Sequence, residues 1–134
     1  MTNLEKDLVR IGVFYDGKTF KRVSNYYRYF HPVQARIRLN GLHDFICAEA
    51  AMREGGDRSK YQITEAHHFS GRLKAREAGE QLLKNERSFD DVLIHTGVTA
   101  HRLTLPPNHR EKGIDVWIAV KAFDLAKDKR FHIA

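Results

Sequence analysis

Short β-rich apolar runs alternate with longer segments of helical period along the whole chain, and few folds accommodate that order. "RIGVFYDG" (10–17) is a continuous apolar run stopped by Asp-Gly, the pattern of a buried strand. Residues 18–30 are predicted helical, with an end at His31-Pro32, because the residue before a proline is pushed out of the α region. A second helix is predicted over 40–56, with Leu42, Phe45, Ile46 and Ala50 on one face and Gly55-Gly56 closing it. "KYQITEAHHFS" (60–70) reads as a strand, although Glu65 and two histidines lie in it. Residues 72–88 follow as an amphipathic helix with Ala75, Ala78, Leu82 and Leu83 inward. "DVLIHTG" (91–97) reads as a third strand, 99–107 as a short extended piece, 115 to about 128 as a helix, and 130–134 as the start of a strand.

Strands alternating with helices imply βαβ units: an α/β fold with a mostly parallel sheet and helices on both faces. Neither repeats nor linkers divide the chain, so residues 1–134 are expected to form a single domain. No apolar run approaches membrane-span length, and "MTNLEKDLVR" lacks a signal pattern, so the expected location is the cytosol, away from membranes. Cys47 is the single cysteine, which excludes an internal disulfide and a multi-cysteine zinc site. The formal net charge of +6 favours a polyanionic partner.

In parallel sheets ligands gather outside the carboxyl ends of the strands. Asp16 closes the first strand and Asp115 opens the helix after the third strand region, so the two carboxylates are expected at one edge of the sheet. Such a pair suits Mg²⁺, which takes one or two carboxylates and completes its shell with water and phosphate oxygens. The plainer reading gives Asp16-Gly17 to a turn and Asp115 to a helix cap. "SNYYRYFHPVQARIR" (24–38) interleaves Tyr26, Tyr27, Tyr29 and Phe30 with Arg28, Arg36 and Arg38. Aromatic faces stack unpaired bases while guanidiniums hold phosphates, so this mix suits single-stranded nucleic acid; the competing expectation is that two or three of the rings face the core. His67 and His68 are neighbours in a predicted strand and point to opposite faces, so they do not chelate as a unit. The glycine-rich and nucleophile motifs of dinucleotide binders, P-loop proteins and serine hydrolases are missing.

Several segments together resemble the NYN domain, a branch of the PIN-like nucleases: "IGVFYDGKTF", "VSNYY", "AHHFSGRLKA", "FDDVLIHTGVTAHRLTLP" and "EKGIDVWIAVKAFDLA", in the same order over nearly the whole chain. The resemblance implies a three-layer α/β/α sandwich and a Mg²⁺- (or Mn²⁺-) dependent endoribonuclease. It matches Asp16 and Asp115 to the acidic catalytic and metal positions, and Lys112 and Gly113 to the loop before the second acid. Lys18 and Lys121 depart from the family pattern, where Asn and an acid are usual; they either hold phosphates or weaken cation binding. With Arg28, Arg36, Arg38 and Lys112 they complete the expected RNA-binding set. The chain stops at "RFHIA", before the family's Gly-Asp-x-Asp-Phe motif, so the domain is expected to be C-terminally incomplete, its activity weakened, and its open edge paired in a homodimer. The alternative is a catalytically inactive NYN-like module that binds RNA or protein.

Overall fold

The computed structural model describes residues 8–72, 80–104 and 114–134. Among these, the order is β1 (Val9–Asp16), α1 (Gly17–Tyr29), α2 (Leu39–Glu54), β2 (Tyr61–Arg72), α3 (Glu80–His95), β3 (Thr99–Thr104) and α4 (Ile114–Lys127). The described chain is a mixed α/β protein with four helices and a three-stranded sheet ordered β1-β2-β3, all parallel. On the free side of β1, Ile133 makes a further parallel bridge to Ile11. The last residues therefore add to the sheet beside β1, across from β2. Among the described residues, no helix is long and apolar enough to cross a membrane.

Strand alternation sorts the side chains of β1. Ile11, Val13 and Tyr15 turn towards α1 and α2, while Phe14 turns the other way, against His67 and Phe131. β2 matches this only because of one extra residue. The register steps from Ile11↔Ile63 to Gly12↔Glu65, leaving Thr64 as a bulge. The step lets Tyr61, Ile63 and Ala66 share one face despite their mixed spacing, and Thr64 donates its hydroxyl to the Arg130 carbonyl at 3.1 Å. On that face the core gathers Tyr15, Leu39, Ala66, Leu93 and Val98, continuing into Ile11, Cys47, Ala51 and Tyr61. On the other face Trp117 of α4 packs edge-on against Phe69 and His101, at 5.3 and 5.5 Å between ring centroids.

Two sequence expectations need correction. Residues 91–95, expected in a strand, complete α3, and the strand is Thr99–Thr104. A short apolar run does not distinguish a strand from a buried helical turn. Here only Leu93 is buried, and Ile94 is 72% exposed. Gly97, at φ 73°, ends the helix: its N–H bonds to the Ile94 carbonyl and that of Val98 reaches back to Leu93. In α2 the inward stripe is Leu39, His43, Cys47 and Ala51, with Leu42, Ile46 and Ala50 beside it, whereas Phe45 points to solvent. Of the inward positions expected over 72–88, Ala75 and Ala78 lie outside the described residues.

Gly17, the first residue of α1, sits where a side chain has no room. A Cβ there would come within 2.7 Å of His68 Cε1, 2.8 Å of the Phe69 carbonyl oxygen and 2.9 Å of Ser70 Cβ. Gly17→Ala is expected to destabilise the fold by roughly 1–3 kcal/mol, since a backbone oxygen cannot step aside. Gly41, in α2 with nothing within 4 Å, is the control. There Ala should stabilise by about 1 kcal/mol through helix propensity. Paired denaturant titrations check both signs, and a neutral Gly17→Ala would refute the close seating of α1 on β2.

Candidate functional site

Each strand runs to the same edge, and the helices return from it. α4 follows β3 and leads to residues 130–133, which lie beside the start of β1. Its first residues are therefore at the carboxyl edge. Asp16 closes β1 at that edge, with Phe69 as its register partner on β2. Trp117, two residues after Asp115, packs on that same Phe69. The topology thus brings the ends that carry Asp16 and Asp115 to one edge of the sheet, as the sequence pattern suggests.

The two carboxylates stand differently. Asp16 is the N-cap of α1, and its Oδ1 accepts the N–H groups of Lys18 at 3.0 Å and Thr19 at 3.4 Å. That cap contributes on the order of 1 kcal/mol and fixes the carboxylate's orientation. Asp115 is the second residue of α4 rather than its cap. It is exposed, and its Oδ1 accepts the adjoining Val116 N–H at 3.1 Å. At the positive end of the helix an ionised Asp is stabilised by roughly 0.3–1 kcal/mol.

Lys121 lies six residues further along α4, about 9 Å of axial rise from Asp115. It falls on the stripe Ile114, Trp117, Ile118, Lys121, Leu125 that turns towards the sheet, and its charge is felt at His101. Lys18, Arg28, Arg36 and Arg38 are all exposed on α1 or the loop behind it. Lys112 lies outside the described residues. Tyr26, Tyr27, Tyr29 and Phe30, two or three of which the competing expectation sends inward, are 51%, 38%, 61% and 80% exposed. α1 buries Gly17 and Ser24 and packs Phe20 against the core, and residues 26–29 at its far end are exposed.

The histidines divide as strand parity requires. Beneath α4, His67 Nε2 lies 2.9 Å from Glu65 Oε2 and His67 Nδ1 lies 2.8 Å from His101 Nε2. One tautomer set satisfies both contacts: His67 donates to the carboxylate and accepts from His101. Glu65 Oε1 accepts from Arg130 at 3.1 Å, which ties the C-terminal residues to β2. Burial lowers the pKa of His101, and the neighbouring His67 and Lys121 lower it further.

On the opposite face, His68 packs among Tyr15, Phe20 and Phe89. Burial is the main reason its pKa falls to about 4; Arg102 adds to the effect, while Asp90 and Asp16 oppose it. Arg102 donates to Ser70 Oγ at 3.1 Å and to Asp90 Oδ1. Arg102 and Asp90 line a cleft of about 680 Å³ between α3 and β3, together with Ile94, Thr99 and Ala100. Sequence reading missed the Arg102–Asp90–Ser70 contact. The pairing of Ser70 with Arg102 across β2 and β3 creates it, and that register depends on ending α3 at Gly97.

Among the described residues, the carboxylates expected as ligands at the carboxyl edge are those of Asp16 and Asp115. Among the described residues, no three His, Cys, Asp or Glu side chains come together as a metal-binding group. One carboxylate half-buried and oriented by a helix cap and one exposed are of the chemistry that a hard cation keeping several waters, as Mg²⁺ does, accepts. Comparison with protein-family models, with curated proteins and with solved structures finds no match.

Proposed function

We propose that this domain acts on single-stranded RNA, with Mg²⁺- (or Mn²⁺-) dependent phosphodiester hydrolysis at Asp16 and Asp115. The observation that carries the reading is the arrival of both acidic chain ends at the carboxyl edge of a parallel sheet. The finer fold assignment, a PIN-like three-layer sandwich of the NYN type, belongs to the same proposal. Support comes from α1, α2 and α3 packing on one face, α4 on the other, and the all-parallel order that Ile133 extends beyond β1.

In this reading Asp16 and Asp115 hold the cation. When bound, it supplies an activated water and stabilises the leaving oxygen. The cap on Asp16 keeps that carboxylate turned to the edge without help from solvent. Lys18, Arg28, Arg36 and Arg38 hold the phosphates of the strand, and Lys112, three residues before Asp115 in the sequence, completes that set. Lys121, beneath α4, modulates the site through the sheet-facing charges rather than by standing at Asp115.

Two carboxylates hold Mg²⁺ weakly, so turnover is expected to be slow and steeply dependent on the cation. A labelled single-stranded RNA should be cut in millimolar Mg²⁺ and left intact in EDTA. Asp16→Asn and Asp115→Asn should each lower the rate on the order of 10²-fold, the usual scale for removing one charge-stabilising group. Asn still caps α1 at position 16, and Asp115 is exposed and caps nothing, so both variants should remain folded. Binding without any Mg²⁺-dependent cleavage would identify an RNA-binding module instead, and cleavage unchanged in both variants would remove the aspartates from the site.

A further inference from the structure

We infer that α1 and the loop after it form a track for unpaired RNA, on which exposed rings take bases and a line of cations takes phosphates towards Asp16. The inference rests on the RNA reading above and adds where the strand lies and which of its chemical features are recognised.

Charge is the first support. Residues 17–38 carry six Lys and Arg and no Asp or Glu, and the chain's net charge is +6. The other seventeen cations are matched by seventeen acids, so the whole excess sits in this one segment. No carboxylate within this segment offsets its cations, which suits a phosphate backbone.

Exposure is the second. Tyr26, Tyr29 and Phe30 stand out from the second half of α1, where they cover no core. Lys18, Arg22 and Tyr26 are four residues apart and share one helix face, with Tyr29 and Phe30 continuing it. From Asp16 to Tyr29 the axis rises about 20 Å. A strand following this face meets cations near the aspartate and rings at the far end.

The third support is order. The guanidinium carbons of Arg28 and Arg36 each lie 5.5 Å from the Tyr29 ring centroid. Arg36 also donates to Asn25 Oδ1 at 2.8 Å and to the Tyr29 hydroxyl at 3.2 Å. Tyr26 packs edge-on against Tyr27 at 5.4 Å, and the His31 ring lies 5.1 Å from Tyr27. Tyr26 and Tyr29 are held in place before a ligand arrives, which reduces the ordering cost of binding. Bases stack on such faces only when they are unpaired, so the occupant is single-stranded.

The test measures binding in EDTA, where cleavage plays no part. The probes are a labelled oligouridylate and a hairpin duplex with the same number of phosphates. The oligouridylate should bind more tightly. Tyr26→Ala with Phe30→Ala should weaken it by at least tenfold at an unchanged salt slope, and Phe30→Trp, which keeps a stacking face, should retain the affinity. Lys18→Ala with Arg22→Ala should instead reduce the slope of log affinity against log salt by about 1.4. Circular dichroism checks that these surface variants are folded. Equal binding of hairpin and single strand, or full affinity in the aromatic double variant, would overturn the track while leaving an RNA-acting domain. Failure of the unsubstituted chain to bind either RNA would overturn the track together with the proposed function.

Discussion

Lowering the pH from 6.5 to 4 is expected to remove about 3 kcal/mol of folding stability through His68 alone. The ring is buried, its Nδ1 finds no hydrogen-bond partner among the described residues, and its pKa is held near 4 against an ordinary 6.5. Below pH 6.5 the unfolded chain takes up a proton at this residue and the folded chain does not. The unfolded state therefore binds more protons, and stability falls as the pH falls, until the folded residue titrates near 4. His43 and His101, both lowered chiefly by burial, act in the same direction and steepen the loss. Against a typical domain stability of about 5–15 kcal/mol, this removes roughly a fifth to three-fifths of the total in mild acid. Denaturant titrations from pH 7.5 to 4.5 should show the decline begin near 6.5. His68→Phe keeps an aromatic ring among Phe20 and Phe89 and should flatten the profile. A stability independent of pH from 7 to 5 would mean that these histidines are hydrated in the folded protein.

The histidines also mark the limit of what the sequence discloses. Strand parity separates His67 from His68 correctly, because alternation is a property of the strand itself. It does not disclose that His67 meets His101, since that contact depends on the pairing of His67 with Thr99 and Phe69 with His101. Register is set by the whole sheet, here including the Thr64 bulge, which no local pattern announces. Asp16 and Asp115 were legible for a related reason. A residue closing a strand and a residue opening the returning helix share an edge whatever the register. The misread run at 91–95 shows the reverse case: Val92, Leu93 and Ile94 look like a buried strand, but tertiary packing uses only Leu93. α4 shows the same override. Its inner stripe includes Lys121, while Val116, Val120 and Phe123 lie outside, so hydrophobicity alone would have turned the helix around.

Phe69→Ala is expected to cost about 3–5 kcal/mol, the range for deleting a fully enclosed aromatic side chain. Phe69 is 0% exposed. Its ring stacks on His101 at 4.6 Å and receives the edge of Trp117 at 5.3 Å, while its backbone pairs with Asp16. Three elements thus meet on this one residue, and the cavity left by Ala cannot close without moving α4. Phe69→Leu keeps most of the volume and should cost less than about 1.5 kcal/mol. Trp117 is the only tryptophan in the chain, so its emission reports the seating of α4 without a label. In the Ala variant the emission should shift to longer wavelength before global unfolding, as the indole loses its neighbour and gains water. The same loosening frees the end of α4 that carries Asp115, so Mg²⁺-dependent cleavage should fall further in Phe69→Ala than in Phe69→Leu, under conditions where both remain folded. An Ala variant of unchanged stability and emission would mean that α4 does not rest on Phe69. The argument that brings Asp115 to the edge beside Asp16 would then fail with it.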